Sequence, residues 1–284
     1  MEMIDILTNR RLFVFVCVCM VTLQVCASTG IDPTNKHAWS ENAGWINFAP
    51  VGGGVSIHFD GSIGYLDGYA WGENIGWVKM GNGNEGPYTN SDTNDWGVNF
   101  DGSGSLFGYA WGESVGWIKF DPAYGGVVID MNSGVFDGSA WSENIGWIHF
   151  HGALPSYDVR TIAFEKQPLG TPNWWLDHFK VTEEYDEGDH VPAWQEQVMD
   201  TNPRDPSSFL SIVKEVTKPW GHLFYFPSSA QRYYTLQYIS DLTNEEWTDV
   251  PGQVDISGAG GEDVLLDTNE PPRQLHRIQV KISP

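Results

Sequence analysis

The side chains best suited to chemistry recur in register. Ala-Trp-(Ser/Gly)-Glu-(Asn/Ser)-(Ala/Ile/Val)-Gly-Trp-(Ile/Val) occurs four times, at 38–46, 70–78, 110–118 and 140–148. Each copy holds one carboxylate, Glu41, Glu73, Glu113 or Glu143, between two indoles: Trp39/Trp45, Trp71/Trp77, Trp111/Trp117 and Trp141/Trp147. Aromatic faces beside carboxylates and amides can hold sugars, the rings by stacking and the polar atoms by bonding hydroxyls. They do not make a glycosidase. That chemistry needs one differentiated pair of carboxylates, and these are four equivalents. His149 and His151 share a strand face but bring no third ligand, so a surface pair is expected rather than a metal site. No Gly-x-Ser-x-Gly, His-Glu-x-x-His or phosphate loop is present. The chain is expected to bind rather than to catalyse.

A motif that recurs inside one chain implies a supersecondary unit copied and stacked. Each full copy reads as three short strands: 55–59, 63–71 and 76–80; then 98–100, 105–111 and 116–120; then 127–130, 135–141 and 146–150. Asp60-Gly61, Asp101-Gly102 and Asn132-Ser133-Gly134 supply hairpin turns that want φ > 0. Residues 36–48 supply a leading half-unit. Runs rich in Val, Ile, Phe, Tyr and Trp without helical period make the block all-β. An antiparallel β-meander is expected, and a solenoid, a twisted open sheet and a closed barrel all fit it. Gly68, Gly108 and Gly138 precede the first Trp by three residues, and Gly44, Gly76, Gly116 and Gly146 immediately precede the second. A glycine inside a strand marks a bulge or a close approach; an indole lying over each glycine is the expected approach.

Two roles fit the indoles. They are either the core, since buried aromatic pairs stabilise sheets, or a sugar-stacking stripe. Exposed indoles at every repeat would invite aggregation, so all eight are expected to be structural and inside. Tyr65, Tyr69, Tyr109 and Tyr124 then become the candidates for exposed carbohydrate contacts. The Asn/Gly/Asp/Thr-rich insertion at 82–95 is expected on the loop face, where binding usually resides.

Charge and targeting narrow the setting. The formal net charge is −22. Such a surface repels nucleic acid and anionic lipid, so no nucleic-acid partner is expected. It suits a soluble extracellular protein, or one in a cation-rich niche with calcium sites. Arg10 and Arg11 precede an apolar run over 12–25, and Ala27 offers a cleavage site; residues 1–27 read as a secretory signal peptide. A lipoprotein box at 23–26 fits less well because of Gln24 and Val25. Cys17, Cys19 and Cys26 all lie in that segment, so the mature chain would carry no disulfide. It would be secreted, or held at the cell surface or in the periplasm, with no stable membrane insertion after cleavage.

The composition changes after residue 152. Residues 28–152 form the repeat domain, 153–170 a linker broken by Pro155, Pro168 and Gly170, and 171–206 a short helical segment. Helices are expected near 173–179, with a Thr or Asn cap, and over 193–199. Residues 207–284 alternate like half-buried strands separated by Pro, Gly and Asn/Asp clusters, which suggests a fibronectin-like or immunoglobulin-like β-sandwich.

The order Pro172-Asn173-Trp174-Trp175, an acidic loop, Val191-Pro192-Ala193-Trp194-Gln195-Glu196 and Asp200-Thr201-Asn202-Pro203-Arg204-Asp205-Pro206 resembles a module of secreted bacterial surface proteins of Verrucomicrobia and Planctomycetes type. It is similar to thrombospondin type 3 and dockerin calcium repeats. The resemblance implies an EF-hand-like loop with oxygen ligands at positions 1, 3, 5, 7 and 12. With Glu196 at 12, Val191 (by its carbonyl) falls at 7, Asp189 at 5, Glu187 at 3 and Tyr185 at 1, with Asp186 a substitute for the missing first ligand. His190 stands at position 6, where the pattern has Gly. Glu187, Asp189, Val191 and Glu196 are thus implied to form a weak calcium site; a decayed module serving as a hinge is the alternative. The segment from Tyr233 to Val280 more loosely resembles the domain that follows such modules. The expected function is that of a secreted, non-enzymatic surface, adhesion or structural protein with an extracellular glycan or protein as partner. A carbohydrate-binding accessory protein or polysaccharide-processing enzyme is the alternative.

Overall fold

The computed structural model describes residues 29–240, 246–268 and 274–282. The expected signal peptide at 1–27 lies outside the described residues. The first 13 strands are β1 (Ile31–Ser40), β2 (Gly44–Asn47), β3 (Gly54–Phe59), β4 (Gly64–Gly72), β5 (Gly76–Lys79), β6 (Val98–Phe100), β7 (Ser105–Gly112), β8 (Gly116–Lys119), β9 (Gly126–Ile129), β10 (Val135–Ser142), β11 (Gly146–His149), β12 (His151–Ala153) and β13 (Ser156–Thr161).

These strands close into an antiparallel barrel of eight staves. β1, β4, β7 and β10 are continuous. The other four staves are composite, because β3 continues β2 along the same edge of β4, as Asn47↔Trp71 and Gly54↔Tyr69 show. β5 with β6, β8 with β9, and β11 with β13 repeat the arrangement. Between the two pieces the chain makes a loop, and each loop is tied off in the same way. The N–H groups of Val55, Val98, Val127 and Val159 donate to the carbonyls of Phe48, Met80, Phe120 and Phe150 at 2.9–3.1 Å. Pairing of β1 with β11 (Trp39↔His149) and β13 (Lys36↔Val159) closes the ring. Closure removes exposed edges, and it selects the barrel over the solenoid and the open sheet.

The repeat motif is a hairpin recipe. Ile75 N–H donates to Gly72 O and Val115 N–H to Gly112 O at 3.1–3.2 Å, each closing a tight turn. The next residue, Gly76 or Gly116, has φ of +74° or +70°. A turn followed by a left-handed residue is the favoured three-residue hairpin loop, and glycine reaches that φ without strain. The mid-strand glycines have a different reason. Gly68, Gly108 and Gly138 have φ of +86° to +96°, and a Cβ there would lie 1.9–2.3 Å from the carbonyl oxygens of Gly54, Gly97 and Gly126. The approaching group is backbone, not the expected indole. An indole does lie over three of the four hairpin glycines, with Trp71, Trp111 and Trp141 at ordinary contact distance from Gly76, Gly116 and Gly146.

The location of the indoles corrects the expectation. The barrel interior holds Ala38, Ala70, Ala110 and Ala140, Ile46, Val78, Ile118 and Ile148, and a layer of Phe48, Met80, Phe120 and Phe150, all buried. The eight tryptophans alternate with these residues and face outward. Trp77 is 43 % exposed and Trp45 42 %. The lumen of eight short staves admits alanine and aliphatic side chains, and strand alternation then sends each neighbouring indole out. The pairs still brace the hairpins. Trp39–Trp45, Trp71–Trp77, Trp111–Trp117 and Trp141–Trp147 are direct cross-strand partners packed edge to face at 4.7–4.9 Å. Such pairs add roughly 0.5–1.5 kcal/mol beyond area burial.

Two helices follow, α1 (Asn173–Phe179) and α2 (Ala193–Met199). Pro172 and Pro192 start them, and Lys180 and Asp200 end them in the left-handed conformation. The expected Thr or Asn cap is not used; Asn173 Nδ2 instead donates to Ile162 O at 2.7 Å. Trp174 packs edge-on against Phe59 at 4.8 Å, so this segment is seated on the barrel. The remaining strands are β14 (Lys214–Lys218), β15 (Gly221–Pro227), β16 (Tyr233–Ile239), β17 (Thr248–Asp249), β18 (Ile256–Ser257), β19 (Glu262–Asp267) and β20 (Leu275–Lys281). β14-β15-β19 form one antiparallel sheet, and β16 with β17, β18 and β20 another. Phe224, Phe226 and Leu265 from the first share a core with Tyr234 and Leu236 from the second, a two-sheet sandwich. Arg232 links it to α2: its guanidinium donates to the carbonyls of Val198 and Gln197, both at 2.7 Å, at the end of that helix.

Candidate functional site

Two sites are assembled by this architecture, one on the barrel wall and one in the helical segment. On the wall, the register places the same positions in a row around each repeat junction. Asn47 lies opposite Trp71, Lys79 opposite Trp111, Lys119 opposite Trp141 and His149 opposite Trp39. On their other flank stand His37, Tyr69, Tyr109 and Ser139. Three junctions open as clefts. The cleft of about 680 Å³ between the second and third copies is lined by Tyr69, Trp77, Lys79, Trp111, Glu113 and Ser114. The next, about 700 Å³, contains Tyr109, Trp117, Lys119, Trp141, Glu143 and Asn144. A third, about 620 Å³, lies between Trp45 and Trp71 and carries Asn47, with no lysine among its lining residues. At the fourth junction His149 Nε2 reaches to 3.7 Å from Glu41.

Loops shape the walls of these clefts. The insertion folds over the barrel through Tyr88, whose backbone N–H and C=O both pair with the buried side chain of Asn99 at 2.7–2.8 Å. That fold sets Trp96 edge-on to Trp117 at 5.1 Å and brings Asn90 and Asp92 to the cleft, as the loop-face expectation had it. Tyr157 does the same for Trp45 at 5.0 Å. The floor is locked by the motif's amide. Asn42, Asn74 and Asn144 donate to the carbonyls of Ile145, Ala43 and Val115 in the neighbouring turn at 3.0–3.2 Å. The third copy has Ser114 at this position, and among the described residues no side chain donates to Ile75 O.

The tyrosine candidates separate. Tyr69 and Tyr109 line the two lysine clefts, each under a lysine ammonium 5.9 Å from its ring centre. Tyr65 instead stacks on His58 at 4.7 Å, outside the three wall clefts. Tyr124 stands alone on a loop, 95 % exposed. Lys79 and Lys119 are not among the sequence candidates, and the indoles, expected inside, line the clefts with them; the recurring place two positions after the second Trp is the signal that marks the lysines.

The second site brings together Asp186, Glu187, Asp189 and Glu196. Asp186, Glu187 and Asp189 place one carboxylate oxygen each within 4.8 Å of one another. Glu196, on the first turn of α2, is fully buried. Burial, then the neighbouring Glu187, Asp189 and Asp186, push its carboxyl up to about 7. Both oxygens of Glu187, Asp189 Oδ2 and Glu196 Oε2 are buried with no hydrogen-bond partner. Buried acceptors without donors are expensive, and clustered carboxylates repel; a hard cation with oxygen preference relieves both. The departures from the loop pattern are met locally. His190 takes φ +73°, the conformation that glycine serves at position 6. Asp186 Oδ1 accepts the N–H groups of Gly188 and His190 at 2.7 and 3.1 Å, shaping the loop. Val191 N–H donates to Asp189 Oδ1 at 2.8 Å. Glu183 is no ligand: its two oxygens accept the N–H groups of Thr171 and Leu169 at 2.9 Å. The residues present could therefore hold a hard cation. The chain matches no protein-family model, no curated protein and no solved structure.

Proposed function

We propose that this is an exported, non-enzymatic surface or adhesion protein, in which a calcium-holding module joins an aromatic-walled barrel to a β-sandwich. The observation that carries the reading is the set of buried, unpartnered carboxylate oxygens on Glu187, Asp189 and Glu196. A bound calcium ion would offset their repulsion and brace the loop between α1, which sits on the barrel, and α2, which Arg232 ties to the sandwich. The carbonyl of Val191 would complete the ligand set. This extends the likeness of 171–206 to the calcium repeats of secreted bacterial surface proteins.

A binding role rather than catalysis is supported by the equivalence of the four motif carboxylates. Each sits in the same exposed turn of its repeat, whereas glycoside chemistry needs one differentiated pair. A water-exposed setting is supported by the barrel's polarity. Apolar side chains fill the lumen, while Ser56, Asp67, Lys79 and Lys119 stand on the outer face, the inverse of a membrane-spanning barrel. No helix among the described residues is long and apolar enough to cross a membrane. Calorimetric titration with calcium tests the reading: saturable heat should appear for the intact chain and vanish in Glu196→Ala and Asp189→Ala. Absence of heat and of calcium-dependent stabilisation at millimolar levels contradicts it.

A further inference from the structure

The four repeat junctions share one design, yet only two carry a lysine in the row. In one, Lys79 stands between Tyr69 and Trp111; in the other, Lys119 stands between Tyr109 and Trp141. We propose that these two clefts are equivalent subsites for neutral pyranose rings of an extracellular polysaccharide. The proposal concerns the barrel wall and stands independently of the calcium module.

Three features select this ligand class. Trp77 and Trp111, or Trp117 and Trp141, come from adjacent repeats and flank each cleft with partly exposed indoles. The apolar C–H face of a pyranose matches such a platform. Each cleft also holds one cationic donor and one motif carboxylate, Lys79 with Glu113 and Lys119 with Glu143. Sugar hydroxyls both donate and accept, so they use such a pair fully, whereas an anionic or cationic ligand would meet its own charge sign in the same cleft. Finally, the chain carries −22 overall, and a polyuronate would be repelled on approach. The indoles are held in place by edge-to-face pairing and by Gly53, whose backbone lies against Trp77, so the platforms are formed before the ligand arrives. Two like sites on one wall let a single polymer chain occupy both, and the second contact is then made at high effective concentration.

Affinity electrophoresis of the full mature chain tests this, with gels containing hydroxyethylcellulose, galactomannan, xylan or polygalacturonate. At least one neutral polymer should retard the protein. Lys79→Ala and Lys119→Ala should each weaken retardation by about tenfold, the worth of a hydrogen bond to a charged group, and the double variant should abolish it. His149→Ala, at one of the two junctions without a lysine, should behave as wild type. Both lysine positions lie on the outer face, and an unchanged near-UV circular dichroism spectrum confirms that the variants fold. The proposal is overturned if no neutral polymer retards the chain, if polygalacturonate alone does, or if the double variant retains full retardation. A proline-rich peptide that protects the indoles from acrylamide quenching, with no neutral polymer bound, would assign the clefts to protein partners and overturn it as well. Calcium-dependent stabilisation that persists through any of these outcomes leaves the module reading intact.

Discussion

Replacing Glu196 with glutamine should stabilise the calcium-free protein and at the same time remove its response to calcium. Without the ion, burial and three neighbouring carboxylates raise the Glu196 carboxyl from 4.5 to about 7. A carboxyl raised in this way favours folding while it stays protonated. Its contribution is complete below about pH 4.5 and disappears as pH climbs through 7. The shift corresponds to about 3 kcal/mol lost between mildly acidic and mildly alkaline solution. Glu196→Gln carries no charge and escapes this loss. Its amide can also donate to the unpartnered oxygens of Glu187 and Asp189. Calcium reverses the order, since at a thousandfold excess over its dissociation constant it adds about 4 kcal/mol to wild type alone. Scanning calorimetry in EDTA and in millimolar calcium, at mildly acidic and mildly alkaline pH, reads all four states. In alkaline EDTA the variant should melt on the order of 10 °C above wild type, and in calcium a few degrees below it, because the roughly 4 kcal/mol from calcium exceeds the roughly 3 kcal/mol that the variant escapes by only about 1 kcal/mol. A variant less stable than wild type in alkaline EDTA, or one that gains as much from calcium, refutes the cation-site argument.

Other outcomes follow from the barrel. Ser114→Asn should restore the missing amide of the turn ring by donating to Ile75 O, raising stability by about 1 kcal/mol, while Asn144→Ala should lower it by a similar amount; chemical denaturation measures both. Gly108→Ala should cost more than about 2 kcal/mol, because its Cβ would lie 2.3 Å from Gly97 O at a φ of +96°, and the same assay reads it. Phe150→Ala, in the lumen, should lose about 3–5 kcal/mol, whereas Trp45→Ala, on the wall, should lose distinctly less despite removing the larger ring.

The all-β block, its three strands per repeat and its hairpin glycines were legible, because turn chemistry and short-range alternation are local. The side on which the indoles lie runs against the aggregation argument that placed them inside, although parity held the answer. In Trp45-Ile46-Asn47-Phe48, Trp77-Val78-Lys79-Met80 and Trp117-Ile118-Lys119-Phe120, each tryptophan shares its face with a polar or charged residue, and the aliphatic position shares the other face with Phe or Met. A strand cannot bury both faces in so narrow a barrel, so the lysine decides. Barrel closure was not legible, since the contacts of β1 with β11 and β13 join residues more than a hundred positions apart. In the helical segment the likeness to calcium repeats pointed to Glu187, Asp189, Val191 and Glu196; Glu187 and Asp189 cluster with Asp186, and the charge of Glu187 raises the carboxyl of Glu196. Two details were out of reach: His190 adopts a left-handed φ, and the side chain of Glu196 is completely buried. The burial depends on how α2 packs, which no local pattern encodes.

Hydroxyl-radical footprinting of the native chain tests most directly the claim that an aromatic wall surrounds an aliphatic barrel, because one short stretch contains both faces. Trp77 is 43 % exposed and Met80, three residues on, is fully buried in the lumen. The account predicts rapid oxidation of Trp77, with Trp45, Trp71, Trp117 and Trp141 alongside it, and protection of Met80, although methionine is easily oxidised. Protected tryptophans with an oxidised Met80 would turn the barrel inside out and contradict it.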